Sequence, residues 1–489
     1  MALIAPAQTG SPVLPRVPFE VAALGGALLA GIAIGFGGPF GVIAVLGALF
    51  VLGVARYPLF GVVALVVATP LLSGYARGVP VPFFRPHEIV MFAALAGLGL
   101  RGVVGLLEGQ RWRIELQPID MAFGALAFFG SVVPVLLSIG RSRPIDGAGI
   151  GQVSILPKYL LLFLLFRWVV RSAKEVRLVV LLAGATGLIL AAVGIAQSFQ
   201  NGPVNDILLG AGYQASDYLL SGRGTSTTGN SIVYGTSMAL LVPLTLSLLF
   251  SHFNKPLGDP DDAKQRRRWT LGLATAALIF FFAVISSGQF SPAGAVIVGI
   301  IVAVVTARKA HYFLAFPPVA VLGVLAIWPQ VRGRLDEFQQ TEGLPVSWQT
   351  RIDNLRTFYL PEFDDGLNRV LGVRLDVTAD FDQVLGEEVF LESGYVWFIW
   401  VGGVFLLLAA LGFLITGLRR TYSRLRTTDP WVRAAATASF SAFIYIALLL
   451  PIDQHLTLRA STDLFVMLLA ASMVATPAPV RLEPREAQI

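Results

Sequence analysis

Long apolar runs are the feature that most constrains this chain. About fourteen stretches of roughly 17–25 mostly apolar residues follow one another along it. Each is long enough to cross a bilayer as a helix, and a helix satisfies its own backbone hydrogen bonds in lipid. We therefore expect an all-α polytopic membrane protein with about 12–14 transmembrane helices. The predicted spans are 19–37, 39–55, 58–73, 87–104, 118–139, 153–170, 176–198, 231–251, 269–286, 290–307, 311–328, 393–417, 432–451 and 461–477.

Composition supports lipid as the solvent for most of the chain. Its 489 residues are 55% hydrophobic and only 13% charged, with a mean hydropathy of +0.73, whereas soluble proteins carry about 25% charged residues. Cysteine is absent from the sequence, which excludes disulfides, thiol nucleophiles and cysteine-ligated metals. Lys and Arg residues concentrated in cytoplasmic loops explain the basic isoelectric point, so we expect no nucleic-acid partner.

Basic loops set the predicted orientation. Under this span count five clusters of Lys and Arg fall on one side of the membrane, and that side should be the cytoplasm. Both termini then lie in the cytoplasm, and the N-terminal segment lacks the pattern of a cleaved signal peptide. The clusters lie at 111–113, 171–177, 264–268, 308–309 and 419–426.

The predicted organisation has three parts. Residues 1–328 form transmembrane helices 1–11. Residues 329–392 form a large external loop with short interfacial helices, and residues 393–489 form helices 12–14 and a cytoplasmic tail. Loops this long without a domain of their own are usually functional.

Arg223 and Asn230 flank a segment of small residues that runs into a span. Backbone amides and the helix N-terminus can approach an anion there, and a guanidinium matches a phosphate. An ordinary helix cap with a solvated arginine explains the same pattern. We keep both residues as candidates for binding a diphosphate.

Two further cations are candidate diphosphate ligands. Arg351 lies in the predicted external loop, where a salt bridge to Asp353 or Glu362 is the alternative. Lys158 lies inside an apolar run near its external end. A charge inside a span is a functional candidate, although a long side chain there can also reach the interface.

Glu392 and His455 are the candidates for acid–base work. Glu392 opens a span, so it can act as a general base or simply favour the helix dipole. His455 is the histidine best placed on the external face, although a lone loop histidine is usually idle. No metal-ligand spacing or nucleotide-binding motif is present, so we expect no metal and no cofactor.

Three local matches resemble the superfamily of O-antigen ligases and O-antigen or exopolysaccharide polymerases. The segment 223–230, followed by Tyr234 and Gly235, is similar to that family's Arg/Gly/Asn entry into a span. Residues 347–351 and then 371–373 look like its serine–arginine stretch and leucine–glycine–valine turn. Residues 392–395, with glycines at 402 and 403, look like the block that closes its large loop. The resemblance covers roughly residues 150–450.

The resemblance implies a GT-C-like, inverting glycosyltransferase of the bacterial inner membrane with its active site on the external face. Its donor would be an oligosaccharide on undecaprenyl diphosphate, and its acceptor a sugar hydroxyl. The other implied partners are the lipid bilayer and a chain-length regulator or flippase of the same pathway. The implied reaction needs no metal.

Two departures from the family pattern bear on the activity. Glu392 stands where the ligases have a histidine, which favours a polymerase of lipid-linked repeat units over an O-antigen ligase. The turn 286–292 lacks the arginine that the family often has there. Transport or flipping of a lipid-linked or anionic substrate is the alternative from another functional class.

Overall fold

A computed structural model describes most of the chain. It covers 41–75, 84–109, 115–143, 145–213, 222–254, 256–259, 261–309, 346–375, 378–379 and 389–475, with single residues between 31 and 38 and between 317 and 332.

The described residues are almost entirely helical. Among the described residues the only β-strands are two antiparallel strands of two residues each, β1 (Thr378–Ala379) and β2 (Val389–Phe390), and an isolated antiparallel bridge joins Tyr75 to Tyr213. The helices are α1 (Gly41–Arg56), α2 (Pro58–Leu72), α3 (Pro86–Leu107), α4 (Pro118–Gly140, with a π-helical stretch Phe128–Val132), α5 (Gly147–Val153), α6 (Ile155–Val169), α7 (Ala173–Ser198), α8 (Gly202–Gly210), α9 (Ser231–Asn254), α10 (Ala263–Ser286), α11 (Phe290–Ala307), α12 (Val346–Asn354), α13 (Asn368–Leu371), α14 (Gly394–Arg424), α15 (Pro430–Leu449) and α16 (Ser461–Ser472).

The predicted fold class is confirmed. Within the described ranges nine helices are long and apolar enough to span a membrane, α5 and α6 counting together, and α1, α2 and α16 are shorter apolar helices. The predicted spans 19–37 and 311–328 lie almost wholly outside the described residues. Every other predicted span coincides with a helix over most of its length, so the apolar runs located the helices correctly.

The chain divides into two compact units. The first comprises Met1–Gly61 and Ile89–Glu115, and the second comprises Val62–Glu88 and Leu116–Ile489. Within the first unit, α3 lies close to α1 because Gly97 has no side chain: a Cβ there would be 2.6 Å from the carbonyl oxygen of Val51. The Arg101 guanidinium donates to the carbonyl of Ala55 at 3.3 Å, at the end of α1.

The core of the second unit is α9. Its most apolar window is 94% buried, so this helix is surrounded by protein rather than lipid. It packs against α7, α10, α11 and α15. Small residues permit these approaches, because a Cβ on Gly299 would lie 3.0 Å from the Pro243 ring and one on Gly235 would lie 2.8 Å from Pro292. Close packing through small residues is the usual way helices associate in lipid.

Helix α14 breaks at Gly403, which has φ 67° and ψ −163°. Because the helix is interrupted there, the Trp400 carbonyl accepts a hydrogen bond from the Val373 amide at 2.7 Å. Gly403 also packs directly on the Val370 carbonyl of α13. Irregular backbone at membrane depth is tolerated where protein satisfies its polar groups, as it does here.

Replacing Gly403 by Ala is expected to destabilise the fold by about 1–3 kcal/mol, because a left-handed non-glycine residue is strained. The added methyl group would also collide with Val370. The melting temperature of the detergent-solubilised protein should fall. Gly412→Ala is the matched control, since nothing lies within 4 Å of a Cβ at that position of the same helix. Equal melting temperatures for the two variants would contradict the expectation.

The second unit has two distinct ends. At one end Gln289 donates to Ser231 Oγ at 2.8 Å, and the Gly394 amide donates to the Leu450 carbonyl at 2.7 Å, so α9, α14 and the 450–460 connection meet there. We call this the Arg351 end. At the opposite end lie the basic starts of α7 and α10 and the basic end of α14, including Arg177, Arg266 and Arg424.

Candidate functional site

Arg351 lies between two carboxylates. Its Nε atom is 2.5 Å from Glu392 Oε2, and its Nη1 atom is 2.9 Å from Asp453 Oδ1. Nη1 also donates to the Ile452 carbonyl at 3.4 Å. Glu392 is about 40 residues from Arg351 in the sequence, and Asp453 is about 100 residues from it. The salt bridges considered from the sequence, to Asp353 or Glu362, are not the ones that Arg351 forms.

Three elements position these side chains. Arg351 lies on α12, a short polar helix that continues into the π-helical stretch Leu355–Tyr359. Glu392 comes two residues before α14 begins, and Asp453 follows the end of α15. Because α14 and α15 are antiparallel neighbours, the residue before one and the residue after the other meet at the same end.

A cavity of about 70 Å³ opens beside the ion pairs. Arg351 and Glu392 supply its charged wall, while Trp348, Tyr359 and Pro451 supply apolar and aromatic surface. The Glu392 side chain is 39% exposed and Asp453 is 6% exposed. Glu392 is therefore the carboxylate that a molecule in the cavity can reach, whereas Asp453 lies behind the arginine.

Asp453 is the site residue that the sequence interpretation did not select. It accepts a hydrogen bond from Ser291 Oγ on α11 as well as the ion pair from Arg351. Its position in the triplet Asp453–Gln454–His455, between two spans, was a usable signal, but attention fell on the histidine. A carboxylate at that connection is as well placed as an imidazole to meet a cation from the predicted loop.

Burial raises the pKa of Glu392 above its usual value. The Arg351 guanidinium opposes this shift, and the neighbouring Asp453 carboxylate adds to it. A carboxylate with a raised pKa is a stronger base than one in free solution. Glu392 thus combines accessibility, a hydrogen-bonded arginine and basicity.

His455 is less well suited to contact a substrate. Its side chain is fully buried, and neither ring nitrogen has a hydrogen-bond partner among the described residues. Burial lowers its pKa to about 4, so the ring is neutral near pH 7. Its Nε2 atom is 3.8 Å from Asp453 Oδ2, and its ring packs edge-on against Tyr445. This geometry favours support of Asp453 over direct acid–base work.

Arg223 and Asn230 lie at the same end. The Arg223 side chain passes over Gly288, since a Cβ there would be 3.2 Å from Arg223 Cγ. The turn that lacks an arginine of its own is therefore covered by one from the preceding loop. Asn230 Oδ1 accepts from the amides of Ile232 and Val233 at 2.9 and 3.1 Å, so it caps α9.

Lys158 belongs to a different cluster. Its Nζ atom is 3.6 Å from Glu88 Oε1 and 3.5 Å from Asp463 Oδ1, and its side chain is 7% exposed. Two carboxylates therefore balance this ammonium within the helix bundle. The geometry favours a structural ion triad over direct contact with a diphosphate.

Within the described ranges no group of His, Asp and Glu side chains has the geometry to hold a metal ion. The chain matches no protein-family model, and a search of curated proteins gives no match. The site must therefore be interpreted from its own chemistry.

Proposed function

We propose that this protein is a membrane glycosyltransferase that polymerises lipid-linked polysaccharide repeat units. The observation that carries the proposal is Arg351, held between Glu392 and Asp453 beside a cavity at one end of the transmembrane helices. This arrangement offers a base and a cation to a molecule that approaches from the membrane surface. The order of local motifs in the sequence supports the same family of enzymes.

The charge distribution supports an external site. The described Lys and Arg residues at the ends of α7, α10 and α14 concentrate opposite the Arg351 end. The positive-inside tendency assigns that basic end to the cytoplasm. The Arg351 end then faces outward, where neither ATP nor sugar nucleotides are available, so the donor has to be activated already, as in a polyprenyl diphosphate.

In the proposed reaction a hydroxyl oxygen of the acceptor sugar attacks the anomeric carbon of the donor. The bond from that carbon to the diphosphate oxygen breaks, the diphosphate leaves with the electron pair, and the configuration inverts. Glu392 takes the hydroxyl proton. Arg351 and Arg223 stabilise the charge that accumulates on the leaving oxygen, which is where fixed cations accelerate a reaction most.

Arg351 faces two carboxylates, so the local charge is negative before substrate binds. Protonation of Glu392 during turnover removes one of those negative charges at the moment when the leaving group gains its own. The guanidinium can then turn its remaining donors to the diphosphate. Proton transfer to Glu392 and stabilisation of the leaving diphosphate by Arg351 are thereby coupled in one step.

Transport of a lipid-linked or anionic substrate is the alternative of another class. Transporters usually place charged groups near the bilayer midplane, between two related halves. Here three of the charged residues buried in the described spans lie in the first turns of their helices: Glu88 in α3, Asp120 in α4 and Asp463 in α16. Lys158 is the exception, because it lies midway along the span that α5 and α6 form together. The position of the other three at helix ends favours an enzyme at the membrane surface.

The test uses the native host with the gene deleted and complemented. Surface polysaccharide is sized on a gel, and lipid-linked repeat units are extracted from membranes. Single repeats accumulating on the carrier would support the polymerase, and full-length polymer on the carrier would assign a ligase to lipid A-core or another acceptor. If the surface polymer and the lipid-linked repeat units are both unchanged, the polymerase and the ligase are both excluded and a transporter is favoured.

Glu392→Gln is expected to abolish polymer growth with the protein still folded, because the amide cannot accept the proton. For the wild type, transfer should fall as pH decreases through the raised pKa of Glu392, since only the ionised form acts as a base. Membrane-based transfer assays across pH measure both effects. Glu362→Gln, an exposed glutamate in the same segment, is the control. Wild-type activity in Glu392→Gln would show that Glu392 is not the general base.

A further inference from the structure

Three arginines surround a second, smaller pocket at the Arg351 end. The pocket is a shallow depression that is partly open to the surface, and it shares no lining residue with the cavity beside Arg351. Arg141 and Arg143 come from the end of α4, and Arg374 comes from the segment between α13 and β1. The function proposed above makes no use of any of the three.

Arg141 fixes the geometry of this pocket. Its Nη1 atom donates to the Gly372 carbonyl at 2.8 Å and lies 3.5 Å from Asn368 Oδ1. Gly372 has φ 87° and lies against the backbone of Val401, so the rim is tied to the broken part of α14. One arginine is thereby anchored by neutral oxygen atoms, and no described carboxylate pairs with it.

Arg374 has a buried N–H group without a hydrogen-bond acceptor among the described residues. Its guanidinium carbon lies 5.4 Å from the centroid of the fully buried Trp400 ring, which holds it in place. Its Nε atom is buried and has no hydrogen-bond partner among the described residues. A buried N–H without an acceptor is unfavourable, and native structures usually satisfy it with protein, water or a ligand.

The local charge is strongly positive. Among the described residues none of the three arginines has a carboxylate oxygen within 4.0 Å. Burial and the adjacent guanidiniums of Arg141 and Arg374 lower the pKa of Arg143. The exposed carboxylates Glu362 and Asp365 act against this only from a distance. The C-terminus of α4 contributes about half a negative charge, so among the described residues more than two positive charges have no carboxylate in contact with them.

We propose that Arg141, Arg143 and Arg374 bind a phosphoryl group at the Arg351 end of the protein. A phosphoryl group carries up to two negative charges and several acceptor oxygens, which guanidinium forks contact in a bidentate way. It would supply the acceptor that Arg374 Nε lacks and relieve the repulsion among the three cations. The group has two possible sources, the headgroup of an anionic phospholipid or a phosphate borne by another molecule.

The test uses the purified full-length protein and the Arg143→Gln/Arg374→Gln double variant. Native mass spectrometry after extraction from bicelles of phosphatidylcholine and phosphatidylglycerol reports retained lipid. Melting in neutral detergent with added inorganic pyrophosphate reports binding of a phosphate without a lipid. In this measurement every protein also carries Arg223→Gln and Arg351→Gln, so that the diphosphate site proposed above does not contribute. Arg369→Gln is the matched control, because Arg369 is exposed, paired with Asp364 and outside the pocket.

Preferential retention of phosphatidylglycerol by wild type, lost in the double variant, identifies the lipid headgroup. Stabilisation by pyrophosphate without retained phosphatidylglycerol identifies another phosphate-bearing molecule. In either case affinity should fall by about tenfold to a hundredfold per arginine, as expected for a charged hydrogen bond.

Binding of neither probe by wild type, or equal binding by the double variant, would overturn the proposal. The double variant should melt at or above the wild type without anion, because two like charges are gone. If it fails to fold, Arg143→Gln alone serves, since that side chain makes no hydrogen bond to the described residues.

Discussion

Replacing Arg351 by Gln should reduce glycosyl transfer by about 10²–10³-fold, the usual effect of removing one fixed donor from a site of developing charge. The change also leaves Glu392 and Asp453 facing each other without a cation. The pKa of Glu392 should then rise further, because Arg351 is the group that opposes its upward shift. The acid limb of the activity profile should therefore move to higher pH.

Arg351→Lys separates two contributions of the arginine. Lysine keeps the positive charge but cannot contact Glu392 and Asp453 through two nitrogens at once. We expect the lysine variant to restore the position of the acid limb while recovering little of the rate. Arg369→Gln, which removes an exposed arginine of the same segment, should leave both unchanged. An Arg351→Gln enzyme with a normal rate and a normal pH profile would refute the role of the ion pairs.

Replacing Lys158 by Met should destabilise the protein by about 3–5 kcal/mol, the usual result of leaving a buried charge without its partner. Glu88 and Asp463 would then be two carboxylates in the bundle with no cation between them. Thermal unfolding of the detergent-solubilised protein measures the effect. Lys174→Met is the control, because Lys174 is exposed at the start of α7.

A triple variant distinguishes a structural triad from a ligand site. Combining Lys158→Met with Glu88→Gln and Asp463→Asn removes all three charges, and buried ion clusters replaced by neutral groups often regain their stability. We expect the triple variant to melt closer to wild type than Lys158→Met alone. If Lys158→Met instead melts normally but loses transfer, Lys158 acts on substrate as the sequence alone suggested.

The sequence located the helices well because a helix that crosses lipid has to be one continuous stretch of apolar residues, which can be seen without knowing the fold. A segment either has enough consecutive apolar residues or it does not. Even the pair α1 and α2, separated only by Tyr57, follows the predicted division at Arg56 and Pro58. The break in α14 was harder to foresee, since Gly402 and Gly403 occur in a chain rich in glycine and only the contact with α13 demands a positive φ.

The site was predicted only in part, because a sequence pattern identifies its residues one at a time and does not show which of them are in contact. Arg351 and Glu392 were both selected, and they are in contact. Asp453 was missed because its importance depends on a partner about 100 residues away, which no local pattern reveals. The carboxylates beside Lys158 come from two other helices, so sequence alone gave no reason to expect a neutralised lysine.

The complete enclosure of α9 has a consequence for biogenesis. Its neighbours α10, α11, α15 and α16 are synthesised after it, so α7 is the one long helix among its main described neighbours that precedes it in the chain. Until the later helices are inserted, most of the surface of α9 is in contact with lipid. The helix must therefore be apolar enough to insert alone and yet small enough in its side chains to be enclosed later. Its mixture of leucines with serines, threonines and Gly235 meets both requirements.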